Sequence, residues 1–102
     1  MGKILAIFTG KGLTKDKYDA LIQEVGWKKT HPKGAIVHIA SFDDAGELHV
    51  ADVWESAEEM NHFVETRLMP VFKKMNLAMP EAKVYAIHNI DAFGDIDAYK
   101  VQ

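Results

Sequence analysis

Residues 34–89 constrain the fold of this chain more than any other part. They read as strand, acidic turn, strand, helix, strand, and Asp52-Val53-Trp54-Glu55-Ser56 marks the passage from strand into helix. Two β-rich runs, 35–42 and 47–54, flank Asp43-Asp44-Ala45-Gly46, a hairpin turn. An even-numbered loop pairs Val37 with Asp52 and His38 with Ala51. Val37, Ile39, Leu48, Val50, Asp52 and Trp54 then share one face, and Ile36, His38, Ala40, His49, Ala51 and Val53 the other. A bulge or an odd-numbered loop would exchange these faces along one strand. Either way both faces are mostly apolar, and a strand pair of that kind is covered on both sides.

The flanking sequence completes an alternating pattern. Residues 3–8 form a near-continuous apolar run of strand length, broken by Gly10 and Gly12. Gly10-Lys11-Gly12 matches no phosphate-cradling spacing and reads as a turn. Thr14 is an N-cap, Leu13 staples onto Tyr18, and Tyr18, Leu21, Ile22 and Val25 form the apolar stripe of a helix that Gly26 ends. Ser56 and Glu59 form a capping box for a second helix, whose stripe runs from Met60 through Phe63, Val64, Leu68, Val71 and Phe72 to Met75. Pro70 has no N–H and predicts a kink or break, with a short second piece starting there. A last strand spans 82–90, with Val84, Ala86, His88 and Ile90 on one face and Tyr85 and Ile87 on the other. The order β-α-β-β-α-β predicts one ferredoxin-like α+β domain over 1–102 with a four-stranded antiparallel sheet. The tail 91–102 carries Phe93, Ile96, Tyr99 and Val101 and is expected to dock, on a second subunit by preference.

Composition excludes several function classes. The net charge is −3, and no basic cluster exceeds the pairs Lys28-Lys29 and Lys73-Lys74. That argues against nucleic acid and against an anionic membrane surface. The chain has no cysteine, so thiolate metal sites and a cysteine nucleophile are excluded. No His and acidic spacing is typical of zinc or iron, so no metal is expected. The apolar run at the N-terminus is too short for a signal core, and no stretch approaches the ~20 apolar residues of a membrane span. A cytoplasmic protein is the expectation.

Six polar or aromatic side chains stand out. Trp54 reads either as a core aromatic or as the flat wall of an apolar pocket, and Phe63 lies on the facing helix stripe. Asp52 alternates with apolar residues, so it is either paired at the sheet edge or a buried general acid or base. His38 in mid-strand, and His88 with Tyr85 near the end of the last strand, are candidate proton carriers.

Gly34-Ala35-Ile36-Val37-His38, Val53-Trp54-Glu55-Ser56, Phe63 and Arg67-Leu68-Met69-Pro70 together resemble the antibiotic biosynthesis monooxygenase-like group of the dimeric α+β barrel superfamily. The resemblance implies a homodimer in which two four-stranded sheets pack face to face. It also implies a pocket between each sheet and its own helices, where a small apolar or aromatic molecule binds and Trp54, Tyr85 and Phe63 form the walls. The implied chemistry is a cofactor-independent monooxygenation, with Asp52, His38 or His88 moving protons. A haem-degrading branch shares the Trp-Glu-Ser junction, but it also uses a first-strand asparagine and a histidine deeper in the second helix. Here the first strand ends Ile7-Phe8-Thr9 and His62 falls two residues short, a rotation of about 200° on a helix. No cofactor is therefore expected. A non-catalytic ligand-binding dimer, or an isomerase or cyclase on the same fold, stays open. A polar group aimed into the cavity would favour catalysis, and purely aliphatic walls would favour binding.

Overall fold

The computed structural model describes residues 2–101. Strand β1 (Ile4–Gly10) leads to helix α1 (Lys15–Val25), the hairpin β2 (Ala35–Phe42) and β3 (Leu48–Trp54), helix α2 (Ala57–Phe63), a π-helical turn (Val64–Leu68), helix α3 (Met69–Lys74) and strand β4 (Glu81–Ala86). The sheet is antiparallel in the order β2-β3-β1-β4. This is the ferredoxin-like α+β arrangement the pattern predicts.

Local chemistry fixes the helix ends. Thr14 accepts from the Lys17 N–H, and Gly26 closes α1 in the left-handed conformation, donating to Ile22 O. Ser56 Oγ accepts from the Glu59 N–H while Glu59 reaches back to the Ser56 hydroxyl. At Pro70 the backbone does not break. Pro70 cannot donate to the carbonyl one α-turn back, and the Met69 N–H instead reaches Val64 O, five residues earlier. A π-helical turn thus absorbs the missing donor, and α3 continues with Pro70 in its first turn.

The hairpin corrects the expected register. Phe42 lies opposite Leu48, so the loop is 43–47, an odd number of residues that leaves Glu47 out of the strand. Asp43 organises it: its Oδ1 accepts from the Ala45 and Glu47 N–H groups, and Gly46 N–H donates to Asp43 O. Gly46 takes φ 83°, the left-handed conformation that turns the loop back towards β3. His38 therefore faces Asp52, not Ala51, and the two stand on the same side of the sheet. A bulge at Ile36 adjusts the other end of the pairing.

One side of the sheet is the core. Ile4, Ala6, Leu48, Val50 and Trp54 pack there against Leu21 and Val25 of α1, Met60 and Phe63 of α2, and Phe72 of α3. The opposite side carries Leu5, Ile7, Val37, Ile39, Ala51, Val53 and Tyr85, with Ile39 59% and Tyr85 53% exposed. β4 stops at Ala86, short of the expected 90, because its partner strand β1 begins at Ile4, opposite Ala86; one further bond, from the Ile87 N–H to the Lys3 carbonyl, closes the pairing. His88 and Ile90 thus lie outside the sheet. The tail makes one 3₁₀ turn (Ile96–Tyr99) and leaves Phe93 and Tyr99 exposed; Gln102, part of the segment expected to dock, lies outside the described residues.

Candidate acid–base site

The corrected register brings two of the candidate residues into contact. His38 on β2 and Asp52 on β3 are direct cross-strand partners, and His38 Nδ1 lies 2.7 Å from Asp52 Oδ1. A carboxylate can only accept, so in the neutral imidazole Nδ1 carries the proton and Nε2 keeps the lone pair. Tyr18 on α1 supplies that lone pair with a donor: its hydroxyl is 2.6 Å from His38 Nε2. Trp54, two residues beyond Asp52 and on the same face, donates its indole N–H to Asp52 Oδ2 at 3.2 Å. The result is a chain Tyr18, His38, Asp52, Trp54 in which every link is a hydrogen bond.

Burial explains why the chain is complete. Asp52 is 9% exposed and sits between Ala6 and His38 on the helix-covered face. An uncompensated carboxylate there would carry a penalty of several kcal/mol. One donor for each oxygen offsets it, and among the described residues no buried side-chain nitrogen or oxygen lacks a partner. Burial also acts on Tyr18: desolvation, followed by the negative charges of Asp52 and Asp19, pushes its phenol up to about 12. Tyr18 is therefore a neutral donor throughout the physiological range.

Aromatic rings flank the polar chain on its cavity side, while the His38 side chain remains 32% exposed. The Trp27 ring lies 4.7 Å from the His38 ring and 6.3 Å from Phe63, and Trp54 lies 5.4 Å from Phe63. Between sheet and helices they border a cavity of about 50 Å³, whose lining includes Tyr18, His38, Asp52 and Trp54. That volume holds a few waters and no aromatic ring, so occupation by a larger molecule requires a wall to move. Phe63 is the wall shared with an open cleft of about 550 Å³ edged by Lys33, His62 and Arg67. Arg67 braces it, with its guanidinium 5.3 Å above the Phe63 ring and Nη2 donating to Val25 O at 3.0 Å.

Of the predicted site residues, the structure brings together His38, Asp52, Trp54 and Phe63. Tyr85 it does not: it shares the face of Leu5, on the other side of the sheet from the cavity, because β4 alternates with period two and Val84 takes the helix-facing position beside Ala6. His88 is exposed beyond the end of β4. Two residues went unrecognised in the sequence. Tyr18 reads as one member of an apolar helix stripe, yet its hydroxyl among aliphatic neighbours is a signal, since a half-buried phenol finds a partner. Trp27 follows the Gly26 cap in a loop, where the sequence offers no indication of its packing on His38. Among the described residues no three His, Asp or Glu side chains converge as a metal-binding set.

No family model matches the sequence, and no curated protein matches it either. Solved structures do. A candidate antibiotic biosynthesis monooxygenase from Caulobacter crescentus superposes with a TM-score of 0.68 at 14% identity, covering 86% of this chain and 92% of that one. The cofactor-independent oxygenase SnoaB from Streptomyces nogalater gives 0.67 at 7% identity, covering 88% and 97%. A candidate antibiotic biosynthesis monooxygenase from Chloroflexus aurantiacus gives 0.64 at 15% identity, covering 91% and 100%. The chain has the fold of the antibiotic biosynthesis monooxygenase-like proteins.

Proposed function

We propose that the protein is an acid–base enzyme of the cofactor-independent monooxygenase type, acting on a small aromatic metabolite in the cavity between sheet and helices. The observation that carries this reading is the His38–Asp52 pair lining an aromatic-walled cavity. A cavity built only to bind an apolar ring has no use for a buried carboxylate aligned on an imidazole. The likeness in fold to a cofactor-independent oxygenase supports this choice of reaction class.

In such a reaction the substrate is the reductant. A ring methylene flanked by hydroxylated rings loses a proton to His38, and Asp52 stabilises the imidazolium that forms. The carbanion gives one electron to O2, and the two radicals combine into a carbon-bound peroxide, which takes the proton back from His38. Loss of the remaining C–H proton and of hydroxide, which together leave as water, yields the carbonyl. The sum is CH2 + O2 giving C=O + H2O. The protein contributes proton transfer, orientation between Trp54 and Phe63, and exclusion of water.

The other face of the sheet fits the same reading. Its apolar surface is contiguous across β1, β2 and β3, with Lys83 and Glu81 of β4 on its edge. A second copy of the chain, related by a twofold axis, is the occupant we propose, with the tail from Asp91 packing at its border. Oxygen uptake with a panel of hydroquinones and hydroxylated anthrones tests the activity. Turnover in the wild type that falls about 10²–10⁴-fold in His38→Gln is the expected result. Turnover equal in both, or product formed without oxygen uptake, would remove the monooxygenase assignment.

A further inference from the structure

The arrangement raises a question that the His38–Asp52 pair alone leaves open. In the neutral imidazole, Nε2 is the lone pair with which His38 acts as a base, and Tyr18 already occupies it at 2.6 Å. Nδ1 and both Asp52 oxygens are engaged as well. Direct abstraction by His38 therefore requires Tyr18 to leave.

Tyr18 is poorly placed to leave. It belongs to a helix capped at both ends, by Thr14 and Gly26. Its ring lies 7° from parallel to the His38 ring and meets Phe42 edge-on, at centroid separations of 6.1 Å. Swinging aside would break these contacts together with the 2.6 Å hydrogen bond to Nε2. The phenolic oxygen, by contrast, has lone pairs to spare, and Tyr18 lines the cavity.

We infer that Tyr18 is the group that meets the bound molecule: its oxygen receives the substrate's proton while its own hydroxyl proton passes to His38 Nε2. The inference rests on the reading of the cavity as the acid–base site and adds a catalytic residue to it. The step balances without any further reactant. The substrate's X–H bond breaks, a Tyr18 O–H bond forms, the former Tyr18 O–H bond breaks, and an Nε2–H bond forms. The products are a substrate anion and an imidazolium whose Nδ1–H stays bonded to Asp52. Tyr18 ends the step as it began, a neutral phenol. Its high pKa suits this role, since the residue enters carrying the proton it will hand on. Donation to His38 also polarises the phenol and makes its oxygen a better acceptor.

Two probes of nearly equal shape test the assignment: 2-naphthol, which can donate an O–H, and 2-methoxynaphthalene, which cannot. Binding is read from the emission of Trp27 and Trp54, and naphtholate formation from absorbance, in the wild type, Tyr18→Phe and His38→Gln, with circular dichroism confirming each fold. Wild type should prefer the naphthol by about tenfold, one hydrogen bond's worth. Tyr18→Phe should reduce the preference to within about twofold, whereas His38→Gln, whose amide oxygen still accepts from Tyr18, should keep the preference and lose naphtholate formation. If Tyr18→Phe instead tightens naphthol binding, Tyr18 is a plug over His38 and the inference is overturned. Equal binding of the two probes to the wild type overturns it as well while leaving the cavity reading in place. If neither probe perturbs the tryptophans, the cavity reading and the inference fall together.

Discussion

The two faces of one sheet differ in how far a single chain completes them. On the helix side, core residues are buried, and the one carboxylate enclosed there has a donor for each oxygen. On the other side, Leu5, Ile7, Val37, Ala51 and Val53 are half-buried, and Ile39 and Tyr85 are exposed. Strand geometry makes this division possible: alternate residues of the same strands serve opposite faces, so Asp52 faces the cavity and its neighbours Ala51 and Val53 face away. One register thus decides both where chemistry can occur and where association can occur. A slip of one residue would place Asp52 on the bare face and dismantle both.

Substitutions can separate the two faces. The largest expected effect is on the helix side. Asp52→Asn keeps the volume but allows the amide to donate, so the imidazole loses its fixed tautomer. Turnover of a hydroxylated anthrone should fall by about 10²–10⁴-fold, measured as oxygen uptake, with the sedimentation behaviour of the protein unchanged.

Ile39→Lys acts on the opposite face. It places a charge in the proposed contact between two copies and should weaken association by about 2–3 kcal/mol, a shift visible by light scattering over a dilution series. Removal of residues 93–102 should act in the same direction. An unchanged mass for both variants would mean that the bare face is not where copies meet.

Gly34→Ala tests the joint between the faces. Gly34 has φ 86°, and a Cβ there would stand 2.6 Å from the Glu59 carboxylate of the helix cap. The cost should be about 1–3 kcal/mol in denaturant unfolding, because left-handed strain and the displaced cap add.

Alkaline titration gives a smaller effect with a definite sign. Tyr18 binds its proton more tightly when folded, so its contribution to stability is complete below the ordinary phenol value of 10.0 and is lost as pH rises towards about 12. The unfolding midpoint of the wild type should fall across that window more steeply than that of Tyr18→Phe. Smallest of all is the hairpin tip. The exposed Asp43 carboxyl is lowered, first by His49 and then by the Glu47 N–H, so its stabilisation is present above the ordinary carboxylate range and fades as pH falls through the lowered value. Asp43→Ala should show a slightly shallower acid limb in the same assay.

Much of this was legible from residue patterns. Periodicity and capping signals located α1, α2 and the strands because each is a local property: Thr14 with Gly26, Ser56 with Glu59, alternation along 48–54. The Trp54 and Asp52 junction was legible as a candidate site for the same reason. The pairing of Asp52 with His38 was not, since it depends on whether the turn holds an odd or even number of residues. Asp43 decides that through backbone hydrogen bonds that leave no periodic trace. Tyr18 was hidden because a phenol serves equally well as core and as donor. The expected length of β4 failed because a strand extends only as far as its neighbour, and β1 begins at Ile4. Tyr85 went to the bare face by the same alternation that placed Asp52 in the cavity.

The most direct test is a crystal structure with a hydroxylated anthrone or its quinone product bound. The ring system is expected between Trp54 and Phe63, with Phe63 displaced towards the cleft of Lys33 and Arg67 and with the reacting methylene, or the carbonyl oxygen that replaces it in the product, facing the Tyr18 hydroxyl. A ligand seated on the outer sheet face, or lodged in the cleft with the Tyr18–His38–Asp52 chain untouched, would contradict it.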